Sequence, residues 1–370
     1  MKFLSYKISL TQYALERLKK RQEIAEKYNL SLDQILDLSL GDNLFIPPSL
    51  IRKMLVKEIQ SIDPRESYPI DYYSFIEEIS RFLGVETTAI YPGLTHNQLI
   101  QRIVSTITKP EDSIMLLIPD KEIYYKIANN QKLKIQGINL TEGFELNLDE
   151  MLKKIDSTKP KAVIFSSPHY PTANQLNEND ILSLVKETQV PIIVDESYVE
   201  FGKYSLVNQV KNYTNLTIVR SFSKAWGLGA TSCAYLIADP SFVNVLKEIY
   251  SFEEIPPIHL LLTNYILQAP YRFVELINGF VTERKRVFEH LKMLNGLKVY
   301  RSDTNFLFIK YKNNVKELFK QLSSKGIIVR TFEEFPTFKH RDETFLVTLG
   351  DSSINDRFIV ALIELLESLI

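Results

Sequence analysis

The sequence predicts an α/β protein in which a large domain with a mostly parallel central sheet is joined to a smaller α+β domain. Between about residues 90 and 240, short runs rich in isoleucine and valine alternate with mixed segments of helix length, which is typical of buried parallel strands covered by helices. From about residue 275 the order changes to a charged helix followed by interleaved strands and helices. A chain of 370 residues also exceeds the roughly 250–300 residues that one hydrophobic core usually accommodates, so two domains are expected.

The N-terminal region divides into a helix and a loop. Apolar residues recur at helical spacing among charged residues between Leu10 and Tyr28, which predicts an amphipathic helix. The segment LSLGDNLFIPPSL contains Gly41, Pro47 and Pro48, which indicates a loop before a helix over residues 49–58. We assign residues 1–48 to an N-terminal arm and part of the small domain, 49–274 to the large domain and 275–370 to the small C-terminal domain.

The elements of both domains follow from the hydrophobic pattern. The strands predicted for the large domain are SIMLLIP (113–119), KLKIQGINL (132–140), KAVIFSS (161–167), VPIIVDES (190–197), LTIVRS (216–221) and CAYLIAD (233–239), with helices between them such as NENDILSLVKET. The small domain is predicted to contain the helix GFVTERKRVFEHLKML, the strand TNFLFIKY, the helix NVKELFKQLSSKG, the strands GIIVR and TFLVTLG, and a last helix ending ALIELLESLI.

Composition limits the classes of partner. The net charge is −1 with 24% charged and 45% hydrophobic residues, so no excess of positive charge favours binding to nucleic acid or to anionic lipid. Cys233 is the only cysteine, which excludes an intramolecular disulfide and agrees with a reducing compartment. The N-terminal segment lacks an unbroken apolar run. We therefore predict a cytoplasmic protein with a small-molecule ligand, no membrane segment and no metal ion.

Polar side chains follow three of the predicted strands. Asp195-Glu196-Ser197-Tyr198, Ser221-Phe222-Ser223-Lys224 and the stretch from Ser167 to Thr172 each come directly after a strand. Ligands of parallel sheets bind beyond the carboxyl ends of the strands, so these groups are predicted to form one site. Each motif alone is common by chance, since a lysine after a strand is usually a solvated cation. Their order and spacing together favour a functional site.

These residues resemble the fold-type I pyridoxal-phosphate enzymes, and among them the class I/II aminotransferases of the histidinol-phosphate aminotransferase kind. SFSKAWGL matches the cofactor-lysine motif S-F-S-K-A-x-G-L, VDESYVEF matches V-D-E-A-Y-x-E-F, and SSPHYPTAN is similar to C-N-P-N-N-P-T-G. SYPIDYYSFIEEIS, GLTHNQLI, TNFLFIK, GIIVR and TFLVTLGDSSINDRFIVAL are similar to further family stretches in the same order. The resemblance covers most of the chain and implies an aminotransferase of amino-acid metabolism.

The resemblance also implies roles for individual residues. Lys224 would form a Schiff base with pyridoxal 5'-phosphate and then act as acid and base, Asp195 would face the ring nitrogen, and Tyr198 would contact the ring hydroxyl. The implied phosphate contacts are Ser221, Ser223, Thr95, His96 and Asn97, the last three at the start of a predicted helix, where an anion is favoured. Tyr68 matches a tyrosine that reaches the partner's phosphate, which implies a homodimer. Asn43 and Arg330 are the implied substrate contacts.

Four stretches of the sequence depart from the family. Ser232 stands in place of a phosphate-binding arginine, Tyr170 and Ala173 replace the asparagine and glycine of N-P-T-G, and Leu346 replaces an arginine that binds a substrate anion. The stretch Pro119-Asp120-Lys121 replaces P-T-Y, whose tyrosine stacks on the ring, and leaves Tyr124 or Tyr125 as substitutes. Losing one charge-assisted hydrogen bond costs about 1.5–3 kcal/mol, so Ser232 is expected to weaken cofactor binding without abolishing it. The sequence leaves open whether Lys121 faces the site or solvent.

The loss of the arginine at Leu346 concerns the substrate. A leucine cannot bind a carboxylate or a phosphate, so Arg330 or the loop Lys339-His340-Arg341 is left for that task, although the loop is equally consistent with a solvated surface. We expect that the preferred amine donor is not an ordinary α-amino acid held in the usual way. The keto or aldehyde acceptor is not specified by the sequence.

Two further hypotheses about the function stay open. One is a decarboxylase or lyase resembling threonine-phosphate decarboxylase, which shares the fold and the motifs. The other is a non-catalytic relative that uses the scaffold for binding, although a drifting scaffold would have no need for an amine, a carboxylate and a phenol at these strand ends. A dehydrogenase is excluded, because no G-x-G-x-x-G follows a strand.

Overall fold

A seven-stranded sheet forms the centre of the protein. The computed structural model describes residues 10–63, 65, 72–231, 233–250, 255–332 and 338–367. The strands formed by these residues are β1 (Leu36–Asp37), β2 (Ile90–Gly93), β3 (Ser113–Ile118), β4 (Lys134–Asn139), β5 (Val163–Ser166), β6 (Ile192–Asp195), β7 (Leu216–Ser221), β8 (Ala234–Ile237), β9 (Leu297–Val299), β10 (Phe306–Tyr311), β11 (Ile327–Ile328), β12 (Arg330–Thr331) and β13 (Thr344–Thr348).

The central sheet is mostly parallel, as predicted. Its strand order is β2-β8-β7-β6-β5-β3-β4, and the pairs from β4 to β7 are parallel whereas β8 runs antiparallel to both β7 and β2. The six strands predicted for the large domain are all present, each within a few residues of its predicted bounds. The strand β2 was not predicted, because its sequence IYPG contains a proline and a glycine, which normally indicate a loop. It pairs only with β8, at the edge of the sheet.

Helices cover both faces of this sheet. The helices of the described residues are α1 (Leu10–Lys27), α2 (Pro48–Ile59), α3 (Tyr72–Leu83), α4 (His96–Ile107), α5 (Glu122–Asn130), α6 (Leu148–Thr158), α7 (Glu178–Glu187), α8 (Pro240–Ile249), α9 (Pro257–Gln268), α10 (Tyr271–Lys292), α11 (Val315–Ser324) and α12 (Ser352–Glu367). Alternate residues of β3 enter separate apolar clusters, with Met115 and Leu117 in one and Ile114 and Leu116 in the other. Two buried faces explain why these strands are continuous apolar runs. None of the described helices is long and apolar enough to cross a membrane.

The C-terminal part of the chain forms a smaller antiparallel sheet. Its strand order is β12-β13-β10-β9, and Arg330 of β12 lies opposite Leu346 of β13. The predicted strand GIIVR is divided, because β11 pairs in parallel with β1 near the N-terminus while β12 joins β13. The pairing of β1 with β11 brings the N-terminal segment to the C-terminal part. The helix α10 runs through residue 275, and the domain boundaries at residues 49 and 275 stay predictions.

Candidate functional site

A cavity of about 210 Å³ lies where several strands of the central sheet end. Its walls include residues that follow β3, β5, β6 and β7, together with the start of α4, the segment after β1, and β12. The lining residues are Ser39, Leu40, His96, Asn97, Lys121, Glu122, Ile123, Tyr170, Tyr198, Lys224 and Arg330. The structure therefore brings the polar groups of the separate strand ends to one place, as the sequence predicted.

Lys224 lies just beyond the end of β7. Its Nζ donates a hydrogen bond to the carbonyl oxygen of Gly41 at 3.2 Å and lies 5.6 Å from the centre of the Tyr198 ring. The two serines of the same motif are linked, with 2.7 Å between Ser221 Oγ and Ser223 Oγ. Asn43, a predicted substrate contact, does not line the cavity. Its amide group donates to the carbonyl oxygens of Lys224 and Ala225 at 2.8 and 3.0 Å, so it fixes the backbone that carries the lysine.

Gly41 joins the lysine to the C-terminal sheet. Its carbonyl oxygen also accepts a bond from Asn305 Nδ2 at 3.1 Å, and its N–H donates to Thr348 Oγ1 at 2.8 Å. The φ angle is +62°, and a Cβ at this position would lie 2.9 Å from the Tyr198 hydroxyl. Both the backbone conformation and the lack of space therefore require glycine here.

Asp195 ends β6 and is fully buried. Its Oδ2 accepts hydrogen bonds from Lys121 Nζ and from the Tyr124 hydroxyl, both at 2.7 Å, and its Oδ1 accepts one from the Ser197 N–H at 2.9 Å. Burial raises the pKa of the carboxyl, but Lys121, His96 and these hydrogen bonds outweigh burial and hold the pKa of Asp195 well below its usual range. Asp195 is therefore ionised at neutral pH.

Lys121 faces the site rather than solvent. Its Nζ also donates to Ser197 Oγ at 2.6 Å and lies 5.2 Å from the centre of the Tyr198 ring. Asp120 holds the loop in place, since its Oδ1 accepts bonds from the Lys121 N–H at 2.7 Å and from Ser166 Oγ at 2.8 Å. The amines of Lys121 and Lys224 thus both line the cavity and both lie near the ring of Tyr198.

Tyr124 and Tyr170 occupy different positions relative to the cavity. Tyr124 is completely buried behind Asp195 and does not line the cavity, so it meets the carboxylate through its hydroxyl rather than presenting its ring. Tyr125, the other predicted substitute, donates to the Leu117 carbonyl at 2.6 Å. Tyr170 lines the cavity, and its ring packs edge-on against Phe306 with 5.7 Å between the centres. Ala173, which has a φ of +70°, is fully buried.

Tyr198 and His96 are kept neutral by burial. Burial raises the pKa of Tyr198 to about 12, against the opposing effect of Lys121. Burial, with smaller contributions from Lys121 and Lys224 and against the effect of Asp195, lowers the pKa of His96 to about 3. At neutral pH the site therefore offers a protonated phenol and an uncharged imidazole.

The start of α4 faces the cavity with polar atoms. Thr95 is the N-cap, and its side chain accepts the Gln98 N–H at 3.1 Å. His96 and Asn97 line the cavity, and His96 Nδ1 and Asn97 Oδ1 are buried with no hydrogen-bond partner among the described residues. Buried polar atoms normally have partners, so this helix end is suited to a polar ligand.

Arg330 forms an ion pair inside the cavity wall. Its guanidinium contacts the carboxylate of Glu122, the first residue of α5, and Glu122 also lies 3.8 Å from Lys126. Leu346, on the neighbouring strand, is fully buried in the apolar core. The loop Lys339-His340-Arg341 does not line this cavity, and His340 instead lies 3.5 Å from Glu343.

Two predicted residues cannot be placed. Tyr68 and Ser232 lie outside the described residues. Sequence reasoning gave no site role to Gly41 or Glu122. For Glu122 a signal was present, because it directly follows Lys121 at the start of a helix after a strand, where a side chain faces the ligand edge of the sheet.

Residues 33–362 match the family described as aminotransferase class I and II. The chain belongs to this family. It is an aminotransferase that uses pyridoxal phosphate, as the resemblance of its motifs implied. The aminotransferase is 29% identical over 328 residues to the histidinol-phosphate aminotransferase of Ruminiclostridium cellulolyticum, covering 86% of this chain and 89% of that protein.

Solved structures of low sequence identity share the fold of this aminotransferase. The histidinol-phosphate aminotransferase of Sinorhizobium meliloti, solved in complex with pyridoxal 5'-phosphate, superposes with a TM-score of 0.83 at 15% identity over 95% of each chain. The L-threonine-O-3-phosphate decarboxylase of Porphyromonas gingivalis superposes with a TM-score of 0.76 at 20% identity, over 90% of this chain and 100% of that one. The mostly parallel sheet with a smaller C-terminal sheet is thus the fold of pyridoxal-phosphate enzymes of type I.

Proposed function

We propose that the aminotransferase moves an amino group from a small-molecule amine to a keto or aldehyde acceptor, with Lys224 as the residue that binds the cofactor and transfers the substrate proton. The observation that supports this is that the Lys224 amine, which follows β7, and the neutral Tyr198 phenol, which follows β6, line one cavity, while the ionised Asp195 at the end of β6 is buried against the lining residue Lys121. Pyridoxal phosphate, when bound, supplies an electron sink for the carbon from which the proton is removed.

The residues of the cavity fit that cofactor. Asp195 can hold a proton on the ring nitrogen, because its carboxylate is ionised and lies at the rigid end of a central strand. Tyr198 can donate its hydroxyl hydrogen to the ring oxygen, since its raised pKa keeps it protonated. Lys121 shares Asp195 with the cofactor in this arrangement and counterbalances the negative charge of the carboxylate.

The phosphate is proposed to bind at the start of α4. The N-terminus of a helix favours an anion, and His96 Nδ1, which has no partner among the described residues, lies in the same wall and donates to a phosphate oxygen when it carries the ring hydrogen. Ser221 and Ser223 offer hydroxyl groups, as the motif resemblance implies. Thr95 fixes the helix end by capping it.

The oligomeric state and the compartment belong to the same proposal. The resemblance of Tyr68 to a residue that reaches the partner's cofactor supports a homodimer. The single cysteine and the absence of a membrane-spanning helix among the described residues agree with a cytoplasmic enzyme. The curated relative from R. cellulolyticum is named for histidinol phosphate, but Leu346 removes one cation with which such an anionic substrate would be bound.

Reductive labelling tests the assignment of Lys224. The protein is incubated with pyridoxal phosphate, reduced with borohydride and digested, and the labelled peptide is located by mass spectrometry. The label is expected on Lys224 in the wild type and in Lys121→Met, and on neither amine in Lys224→Met. A label on Lys121, or no label at high cofactor concentration, would contradict the proposal.

A screen of amine donors tests the reaction. We expect a new carbonyl product together with an aminated acceptor, both of which mass spectrometry can follow. Release of carbon dioxide without exchange of the amino group would instead support the decarboxylase alternative.

A further inference from the structure

Two of the three described cations that line the cavity form ion pairs with carboxylates, which neutralise their positive charge. Among the described lining residues the cations are Lys121, Lys224 and Arg330. Lys121 is bound by Asp195 and Ser197, and Arg330 is bound by Glu122. Lys224 is the amine that the proposed function assigns to the cofactor. Each described lining cation that an anionic substrate group would meet is therefore already paired with a carboxylate or assigned to the cofactor.

The Arg330–Glu122 pair lies in the wall itself. The side chains of Arg330 and Glu122 are 13% and 17% exposed, so water screens their interaction less than it would on the surface. Both residues line the cavity, whereas Lys126, which lies 3.8 Å from the other carboxylate oxygen of Glu122, does not. A carboxylate or phosphate that approached Arg330 would have to displace Glu122 and would then lie beside a second negative charge.

The neighbouring strand provides no replacement cation. Position 346 lies directly opposite Arg330 across the β12–β13 pair, and its leucine is fully buried. The basic loop at residues 339–341 does not reach this wall. Glu122 is therefore the charged partner that Arg330 has in this wall.

We propose that Glu122 closes the Arg330 wall to anions, so that the substrate is a primary amine whose other polar groups are hydroxyl or amino groups. The inference rests on the proposed amino transfer at Lys224. The carboxylate of Glu122 accepts hydrogen bonds from such groups, and Arg330 holds it in place.

Three donors that differ only in their terminal group test this specificity. The cofactor-loaded enzyme is mixed with 4-aminobutan-1-ol, 1,4-diaminobutane or 4-aminobutanoate, and the single-turnover rate is followed from the absorbance of the bound cofactor. We expect the wild type to react faster with the alcohol or the diamine than with the carboxylate. Glu122→Gln keeps the size of the side chain but releases Arg330, so the relative rate with 4-aminobutanoate is expected to rise by roughly tenfold to a hundredfold.

A binding measurement separates this inference from the proposed function. The affinity for butanoate, which carries no amine, is measured by calorimetry on the wild type, Glu122→Gln and the double variant Glu122→Gln/Arg330→Met. The affinity is expected to increase in the single variant and to return to the wild-type value in the double variant. Thermal melting of all three proteins checks that they are folded.

The outcomes are distinguishable. Unchanged butanoate affinity in a folded Glu122→Gln variant, or a wild type that prefers 4-aminobutanoate, would overturn the role of Glu122 even if Lys224 is labelled. A protein that is not labelled at Lys224 would overturn the proposed function, while the butanoate measurement would still decide whether Glu122 blocks Arg330.

Discussion

Lys121 and Glu122 are consecutive residues that line one cavity and form ion pairs with different partners. Lys121 pairs with Asp195 at the end of a central strand, whereas Glu122 pairs with Arg330 on a two-residue strand of the C-terminal sheet. The first pair is nearly enclosed, with 11% and 0% of the side chains exposed. The second is more accessible, with 13% and 17% of the side chains exposed and both residues in the cavity wall, so one substitution can change the charge that it presents.

The two pairs also differ in what holds them. Asp195 accepts three hydrogen bonds from described residues besides lying in the sheet. Removing one partner of such a buried pair leaves an uncompensated charge, which is strongly destabilising. The wall beside Asp195 is thus constrained by folding stability, whereas we expect substitutions in the Arg330 wall to change mainly the choice of substrate. This difference orders the expected effects of substitutions.

The largest effect is expected for Asp195→Asn. Lys121 would lose its buried partner, so the free energy of unfolding of the cofactor-free protein should fall by about 3–5 kcal/mol. The amino-transfer rate should also fall by roughly a hundredfold or more, the size typical for removal of a preorganised group in an active site. Urea unfolding and single-turnover kinetics measure the two effects.

A double variant separates stability from catalysis at this wall. Asp195→Asn/Lys121→Met should recover much of the stability, because no buried charge is left alone, but it should not recover the rate. A fully active Asp195→Asn protein would show that the carboxylate has no part in the chemistry.

Lys121→Met is expected to cost about 3 kcal/mol of unfolding free energy at pH 7. Burial raises the pKa of Asp195 and Lys121 opposes that effect, so removing Lys121 raises the pKa of the carboxyl. The carboxylate of the variant therefore takes up a proton as the pH falls from 7, which removes its uncompensated buried charge. The deficit of the variant should therefore shrink when the pH is lowered from 7 towards 4, which urea unfolding at several pH values can follow.

An exposed lysine provides the control. Lys134 forms an ion pair with Glu111 at 3.2 Å on the surface, and Lys134→Met should cost less than about 1 kcal/mol. Equal losses for the two variants would mean that the Lys121 pair is no more important to the fold than a surface pair.

Tyr124→Phe should destabilise the protein by about 2 kcal/mol, since it removes a hydrogen bond to a buried ionised carboxylate. Tyr125→Phe is the matched control. It removes a bond to the neutral carbonyl oxygen of Leu117, for which about 1 kcal/mol is expected. Denaturant midpoints of the two variants rank the bonds, and a larger loss for Tyr125→Phe would reverse the assignment.

The smallest effect near neutral pH is expected for His96→Gln. The pKa of His96 in the folded protein is about 3, below the unfolded value, so the wild type loses stability as the pH falls through the region from 6.5 towards 3. The loss approaches roughly 1.4 kcal/mol for each pH unit, and the variant lacks it. Unfolding free energies at pH 7, 6, 5 and 4 should diverge accordingly, and parallel curves would contradict the buried neutral imidazole.

The fold was predictable wherever burial leaves a simple pattern. The strands β3, β5, β6 and β7 are buried on both faces and therefore appear as apolar runs. The hydrophobic pattern did not reveal the edge strand β2 or the division of one predicted strand into β11 and β12. The pairing of these strands depends on segments that are distant in the sequence.

The positions of the site residues could be predicted where a sequence motif places them after a strand. Their ion-pair partners could not be predicted. Lys224 and Tyr198 follow β7 and β6 and line the same cavity, and Asp195 at the end of β6 pairs with the lining residue Lys121. Their roles in the reaction stay predictions. The partners of Lys121 and Arg330 could not be derived, since an ion pair between residues 122 and 330 depends on how β12 lies against α5. Tyr124 was expected as a replacement for a stacking ring, but its hydroxyl binds Asp195 from behind.

Gly41 has a consequence for how this protein can vary. Its carbonyl oxygen is shared by the amine of Lys224 and the amide of Asn305, its N–H is bound by Thr348, and its missing side chain leaves room for the Tyr198 hydroxyl. The reactive amine and the seating of the C-terminal strands thus depend on the same codon. A substitution at that codon is therefore expected to disturb both together.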